Sequence, residues 1–142
     1  MDILEDLVKK HKFTSNRNRK NISNGAQVKY GNRSCLVKGI LSNTLRKGPI
    51  LELCQEMLGS QITCVCLNKN VQCARHVDKN NVGESYVCYF GDFSGGALIL
   101  ENGKRFEGKG KWHGSFDGAT IEHWNEPHEG VKYSVVAFAA KV

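Results

Sequence analysis

Two hydrophobic periods divide the chain. Near its start Ile3, Leu4, Leu7 and Val8 recur at helical spacing and Asp2 stands where an N-cap would, which predicts a short amphipathic helix over residues 3–11. The stretch KGPILELCQEMLGS (47–60) repeats that period. Pro49 suits a first turn, where the missing N–H has no helical partner to lose, and Gly59 suits a stop. Between them TSNRNRKNISNG (14–25) has no apolar period and predicts a loop, followed by short strands over 26–30 and 34–40. Beyond Gly59 the apolar residues fall into short runs or alternate. Strands are predicted at 61–68, 71–77, 85–90, 96–100, 105–108, 120–124 and 132–140, with Asn102-Gly103 as a hairpin turn. Strands this short and this closely spaced predict a mainly β fold, a sandwich or jelly roll with helices on its N-terminal side.

The 142 residues match the size of one ordinary domain, so a helical and basic region (1–60) is expected to support a β core (61–142). A chain of this length can bury a core without staples. No apolar run approaches the roughly 20 residues of a membrane span. The acidic, amphipathic N-terminus lacks the basic start and apolar middle of a signal peptide, which predicts an intracellular, reducing location and no secretion. The six cysteines are then expected to be free thiols rather than a disulfide framework. No Cys-x-x-Cys pair occurs, which argues against a zinc ribbon.

Charge changes the picture in one place. From Lys9 to Lys47 there are 11 Lys and Arg and no Asp or Glu; the remainder carries 9 against 14, a net of −5. The overall +6 is therefore a basic segment joined to a mildly acidic body. Such a segment can follow a phosphate backbone, making nucleic acid an expected partner. A solvated surface explains the same charges, and the aromatics within the segment are only Phe13 and Tyr30. The expected state is a monomer, with no membrane contact.

The candidate chemistry starts at His76-Val77-Asp78. On a strand, alternate residues share a side, so an imidazole and a carboxylate would enter the same space. The alternative is a polar surface pair. A third ligand is available from His11, His113, His123 or His128. His123 lies in a predicted strand; His128 falls in an expected turn with Pro127 and Gly130; His113 reads as packing or rim. Two histidines and a carboxylate form the facial triad of non-haem Fe(II) oxygenases, which leaves positions open for other ligands. Gly95-Gly96 admits either a ligand approaching the backbone or a bulge. Tyr86 and Tyr89 point to opposite faces of one strand, and Trp112 and Phe116 read as packing residues.

From Gln61 to Ala140 the chain resembles the 2-oxoglutarate/Fe(II)-dependent dioxygenases. The likeness rests on His76-x-Asp78, His123, Lys132-x-Ser134, FSGGALIL (93–100) and the closing stretch WHGSFDGATIEHWNEPHEGVKYSVVAF (112–138). It implies a double-stranded β-helix of the cupin-like, jelly-roll type. It also implies Fe(II) on His76, Asp78 and His123, with 2-oxoglutarate and O2 as co-substrates and ascorbate as a stimulant. The far carboxylate of 2-oxoglutarate would meet Lys132 and Ser134. Lysine stands where many members have arginine, and it gives up bidentate geometry. An intact Asp78 implies hydroxylation rather than halogenation. LNKN (67–70) and HVDKNNVGESY (76–86) are similar to the branch around the ten-eleven-translocation and J-binding-protein base hydroxylases and their algal and viral relatives. That likeness implies a 2-oxoglutarate contact at Asn68 and a target-base contact at Asn81. It favours a nucleobase substrate such as 5-methylcytosine in DNA, in a nuclear, cytoplasmic or virus-infected setting. A prolyl-type hydroxylase of protein or peptide, and a catalytically silent binding module, are the other readings.

Overall fold

The computed structural model describes residues 1–15 and 41–141, together with the backbone of two strands, β1 (Gln27–Tyr30) and β2 (Arg33–Leu36). Two short helices form where the periodicity places them. The first, α1 (Asp2–Lys10), buries Leu4 and Val8 and sets Glu5–Lys9 and Asp6–Lys10 pairs on its outer side. The second, α2 (Pro49–Leu58), starts with Pro49 in its first turn, buries Ile50, Leu51 and Cys54, and ends at Gly59 with φ +120°. No helix among the described residues is long and apolar enough to cross a membrane.

The rest is mainly β. Ahead of α2 lies β3 (Leu41–Leu45); after it come β4 (Cys64–Lys69), β5 (Ser85–Gly95), β6 (Leu98–Leu100), β7 (Arg105–Phe106), β8 (Trp112–Phe116), β9 (His123–Asn125) and β10 (His128–Phe138). They form two sheets. The larger has seven strands and runs β2-β1-β10-β4-β3, with β5 on β10 and β8 on β5; the smaller runs β7-β6-β9. Pairing is antiparallel except between β1 and β10.

Strand β10 is the hub, because its long apolar run is paired on both edges. Val135 stands opposite both Leu67 and Cys88, and Ser134 opposite both Asn68 and Tyr89. That register divides the larger sheet by parity. Val65, Leu67, Cys88, Phe90, Val135 and Ala137 are buried in one cluster with the helix residues Leu4, Val8, Ile50, Leu51 and Cys54. On the opposite side Val87, Tyr89 and Val136 pack with Leu98, Leu100 and Phe106 of the smaller sheet. The layers are thus helices, larger sheet and smaller sheet.

Several sequence expectations are corrected. Residues 71–77 do not form a strand. Asn70 takes φ +56° and ends β4, and the following backbone bonds sideways instead: the Asn125 N–H to the Cys73 carbonyl, and the His76 N–H to the His123 carbonyl. Residues 128–130 are not a turn, because β10 begins at His128. Gly130 makes this possible: with φ +94°, a Cβ there would lie 2.2 Å from the Asp92 carbonyl oxygen. Strands β3 and β8 were not foreseen as strands. The second predicted strand (34–40) is described only over Arg33–Leu36, and the predicted loop at 14–25 lies outside the described residues beyond Ser15. Cys54, Cys64, Cys66 and Cys88 are buried free thiols, and Cys73 is a half-buried one.

Candidate functional site

His76 and His123 are held side by side by their own backbones. The His76 N–H donates to the His123 carbonyl at 3.1 Å, and the His123 N–H donates back to His76 at 3.0 Å. This lone antiparallel bridge sets the ring centres 4.3 Å apart. Asp78 is fixed by its N–H on the Gly118 carbonyl (2.8 Å), and the Asn81 N–H closes a turn onto the Asp78 carbonyl (3.0 Å). Its carboxylate stands before both rings, Oδ1 at 3.4 Å from His76 Nε2 and Oδ2 at 3.1 Å from His123 Nε2. All three ligand atoms lie within 4.8 Å of one another.

The rings are also oriented from behind. His76 Nδ1 donates to the Ala74 carbonyl at 2.6 Å, and His123 Nδ1 to the Ile121 carbonyl at 2.9 Å. A carbonyl only accepts, so each Nδ1 carries the proton, and in the neutral ring Nε2 presents a lone pair beside Asp78. This is the tautomer and backing that metal-ligating histidines use. Two imidazole nitrogens and one carboxylate fit a divalent first-row metal and do not choose among such metals. Burial alone would raise the Asp78 pKa, but hydrogen bonds and charge from His123 and His76 outweigh it and hold the carboxyl far below its usual range. Burial would lower His123, but Asp78 outweighs that and raises it. A proton is shared where a cation would sit, and a metal ion competes with it.

The cluster opens onto a cavity of about 720 Å3 between the two sheets. Asn68, Asn81, Tyr89, Asn125 and Ser134 line it. Asn68 Nδ2 donates to Ser134 Oγ at 3.1 Å, so two of the expected co-substrate contacts face the cavity joined to one another. Asn81 is buried beside Asp78: a Cβ on Gly118 would lie 3.5 Å from both Asn81 Nδ2 and Asp78 Oδ2. Asn125 and Thr44 also line the cavity and were not singled out from sequence. Asn125 was within reach of the alternation argument, since it stands two residues after His123.

Lys132 is placed differently from the expectation. It shares a strand face with Ser134 but is only 2% exposed and does not line the cavity. Its Nζ donates to the Gly96 carbonyl at 2.7 Å and lies 4.8 Å from the ring centre of Tyr89, which does line the cavity. Among the described residues no carboxylate pairs with it. Burial lowers its pKa to about 8. His128, the first residue of β10, is buried on that same face, and neither ring nitrogen has a hydrogen-bond partner among the described residues. Burial first, and then the Lys132 charge, lower its pKa to about 4.

Of the histidines open as third ligand, His123 alone joins the cluster among the described residues. His11 bonds Asn43 Oδ1 at 3.0 Å; His113 donates to the Gly108 carbonyl at 2.8 Å and stacks on Phe106. Compared with protein-family models and with curated proteins, the chain matches none.

Proposed function

We propose that this chain is an oxygenase that uses Fe(II) and 2-oxoglutarate to hydroxylate a C–H bond. The observation that carries this reading is the convergence of His76, Asp78 and His123, both Nε2 lone pairs inward, on a cavity whose opposite wall backs onto the buried Lys132. We read the two sheets enclosing that cavity as a double-stranded β-helix. The overall reaction balances as substrate C–H, O2 and 2-oxoglutarate giving C–OH, CO2 and succinate.

When bound, the metal supplies open coordination positions and the oxidising chemistry. The chain does the rest. His76, Asp78 and His123 hold the ion. Lys132 offers the one buried positive charge on the cavity face of β10 for the far carboxylate, and anion binding repays its burial. Asn68 and Ser134 present an amide and a hydroxyl along the way. Asn81 stands next to Asp78, where a target base would approach, and the surrounding walls limit water.

The favoured substrate is a nucleobase such as 5-methylcytosine in DNA, supported by the likeness of HVDKNNVGESY to base hydroxylases and by the charge of the 9–47 segment. The test supplies the protein with Fe(II), 2-oxoglutarate, ascorbate and methylated DNA, followed by nucleoside mass spectrometry. Oxidised 5-methylcytosine is expected. Succinate without an oxidised base overturns the DNA substrate and points to a protein or peptide hydroxylase. Neither product, with no metal-dependent keto-acid binding, overturns the enzyme and leaves a binding module of the same fold.

A further inference from the structure

Along β10, His128, Lys132 and Ser134 alternate onto the cavity face, and their spacing would let Lys132 and Ser134 share one anion. The structure separates that pair. The Ser134 hydroxyl accepts from Asn68, whereas the Lys132 ammonium turns the other way, to the Gly96 carbonyl. A Cβ on Gly96 would lie 2.9 Å from Lys132 Nζ and 3.0 Å from His128 Cβ, so the two side chains meet over a glycine that leaves them room. His128 is 5% exposed with both ring nitrogens unpartnered among the described residues; the Tyr89 hydroxyl, 2% exposed and beside Lys132, is unpartnered too.

Three buried polar groups with unmet hydrogen bonding therefore gather behind one wall of the cavity. A packing role alone does not favour this, since buried donors left unmet are costly. A ligand that meets them removes the cost. The set is one cation and two uncharged donors, because burial and the Lys132 charge keep His128 neutral near pH 7. That combination complements a single carboxylate, with one oxygen on the ammonium and the other on a neutral N–H or O–H.

We infer that His128 is a specificity-determining residue: with Lys132 and Tyr89 it forms a carboxylate seat that selects a keto acid carrying a second carboxylate. This rests on the proposed 2-oxoglutarate reading and moves the anion from Ser134 to His128. The test compares 2-oxoglutarate with 2-oxopentanoate, which has the same chain length and a methyl group in place of the far carboxylate. Binding to the Fe(II)-loaded full chain is followed without oxygen by visible absorption and calorimetry. His128→Phe, which keeps an aromatic ring and removes the nitrogens, is expected to weaken 2-oxoglutarate about tenfold and leave 2-oxopentanoate unchanged. His128→Gln, which restores an N–H, is expected to recover part of the loss.

Equal weakening of both keto acids, or no change in either, overturns the inference. Should His128→Phe melt below the assay temperature, His128→Gln and Tyr89→Phe carry the same comparison, and equal effects on the two keto acids again overturn it. Wild-type protein that binds 2-oxoglutarate, loses it in Lys132→Met and ignores His128 changes overturns this inference alone. Wild-type protein that binds neither keto acid overturns this inference and the proposed function together.

Discussion

On the helix side of the larger sheet stand Val65, Leu67, Val135 and Ala137, buried against α1 and α2. One residue away along the same strands stand Cys66, Asn68, Ser134 and Val136, which line the cavity. The backbone hydrogen bonds that hold the first set in place hold the second as well. What differs is the neighbour. The helices bring apolar side chains and leave nothing unmet. The smaller sheet covers its side incompletely, and the polar groups beneath it, Lys132 and His128 included, lack charged or hydrogen-bonding partners among the described residues. A single residue of parity thus separates the face that stabilises the fold from the face that tolerates chemistry.

The sharpest way to break this division is at Leu67, fully buried on the helix side. Leu67→Ala should cost about 2–5 kcal/mol of stability by urea unfolding, from lost burial plus the cavity left behind. A loss below about 1 kcal/mol would show that the helix face is not what holds the sheet. Next is Asp78→Ala, a change on the chemical side. It should weaken divalent-metal binding by more than about 100-fold while the melting temperature of the metal-free protein moves little. Retained metal affinity, measured by calorimetry, would remove Asp78 from the ligand set.

A smaller, pH-dependent effect sharpens the contrast. Lys132 has a folded pKa of about 8, below its usual 10.5. Between those values the unfolded chain keeps a proton that the folded chain has released, so stability should rise with pH across that window. Lys132→Met should flatten this rise without destabilising the metal-free protein at neutral pH. His128, at about 4 against 6.5, should make stability climb over that lower window in the same way, and His128→Phe should remove the climb. Thermal melts at stepped pH check both, and unchanged profiles would mean that these groups are solvated rather than buried. The smallest effect is expected outside both faces. Arg105 pairs with Glu126 and Glu107 in the open, so Arg105→Ala should leave the melting temperature where it is.

The parts of the fold that could be read in advance are those whose pattern is redundant. Helix α2 has its period, its Pro49 and its Gly59; the core of β10 is an apolar run too long to be a loop. Strands β3 (LSNTL) and β8 (WHGSF) carry polar residues or a glycine where a strand pattern needs apolar ones, so only pairing with β4 and β5 defines them. The stretch 71–77 failed the other way: its alternation imitates a strand, while its backbone bonds go to His123 and Asn125. His76 and Asp78 do converge, through a lone bridge and a turn rather than along a strand. Spacing placed Lys132 on the face it occupies, but a four-carbon stem can aim its ammonium either way, and only packing around Gly96 decides. His128 was hidden because Pro127 and Gly130 read as a turn, although Gly130 serves a close strand crossing.

An anaerobic titration bears on the metal and the keto acid at once. Fe(II) and 2-oxoglutarate added to the full chain should give a weak visible metal-to-ligand charge-transfer band that is absent in Asp78→Ala and reached only at higher 2-oxoglutarate in Lys132→Met. Wild-type protein that binds Fe(II) but gives no band with 2-oxoglutarate, or a band that survives unchanged in Asp78→Ala, would show that His76, Asp78 and His123 do not form this centre.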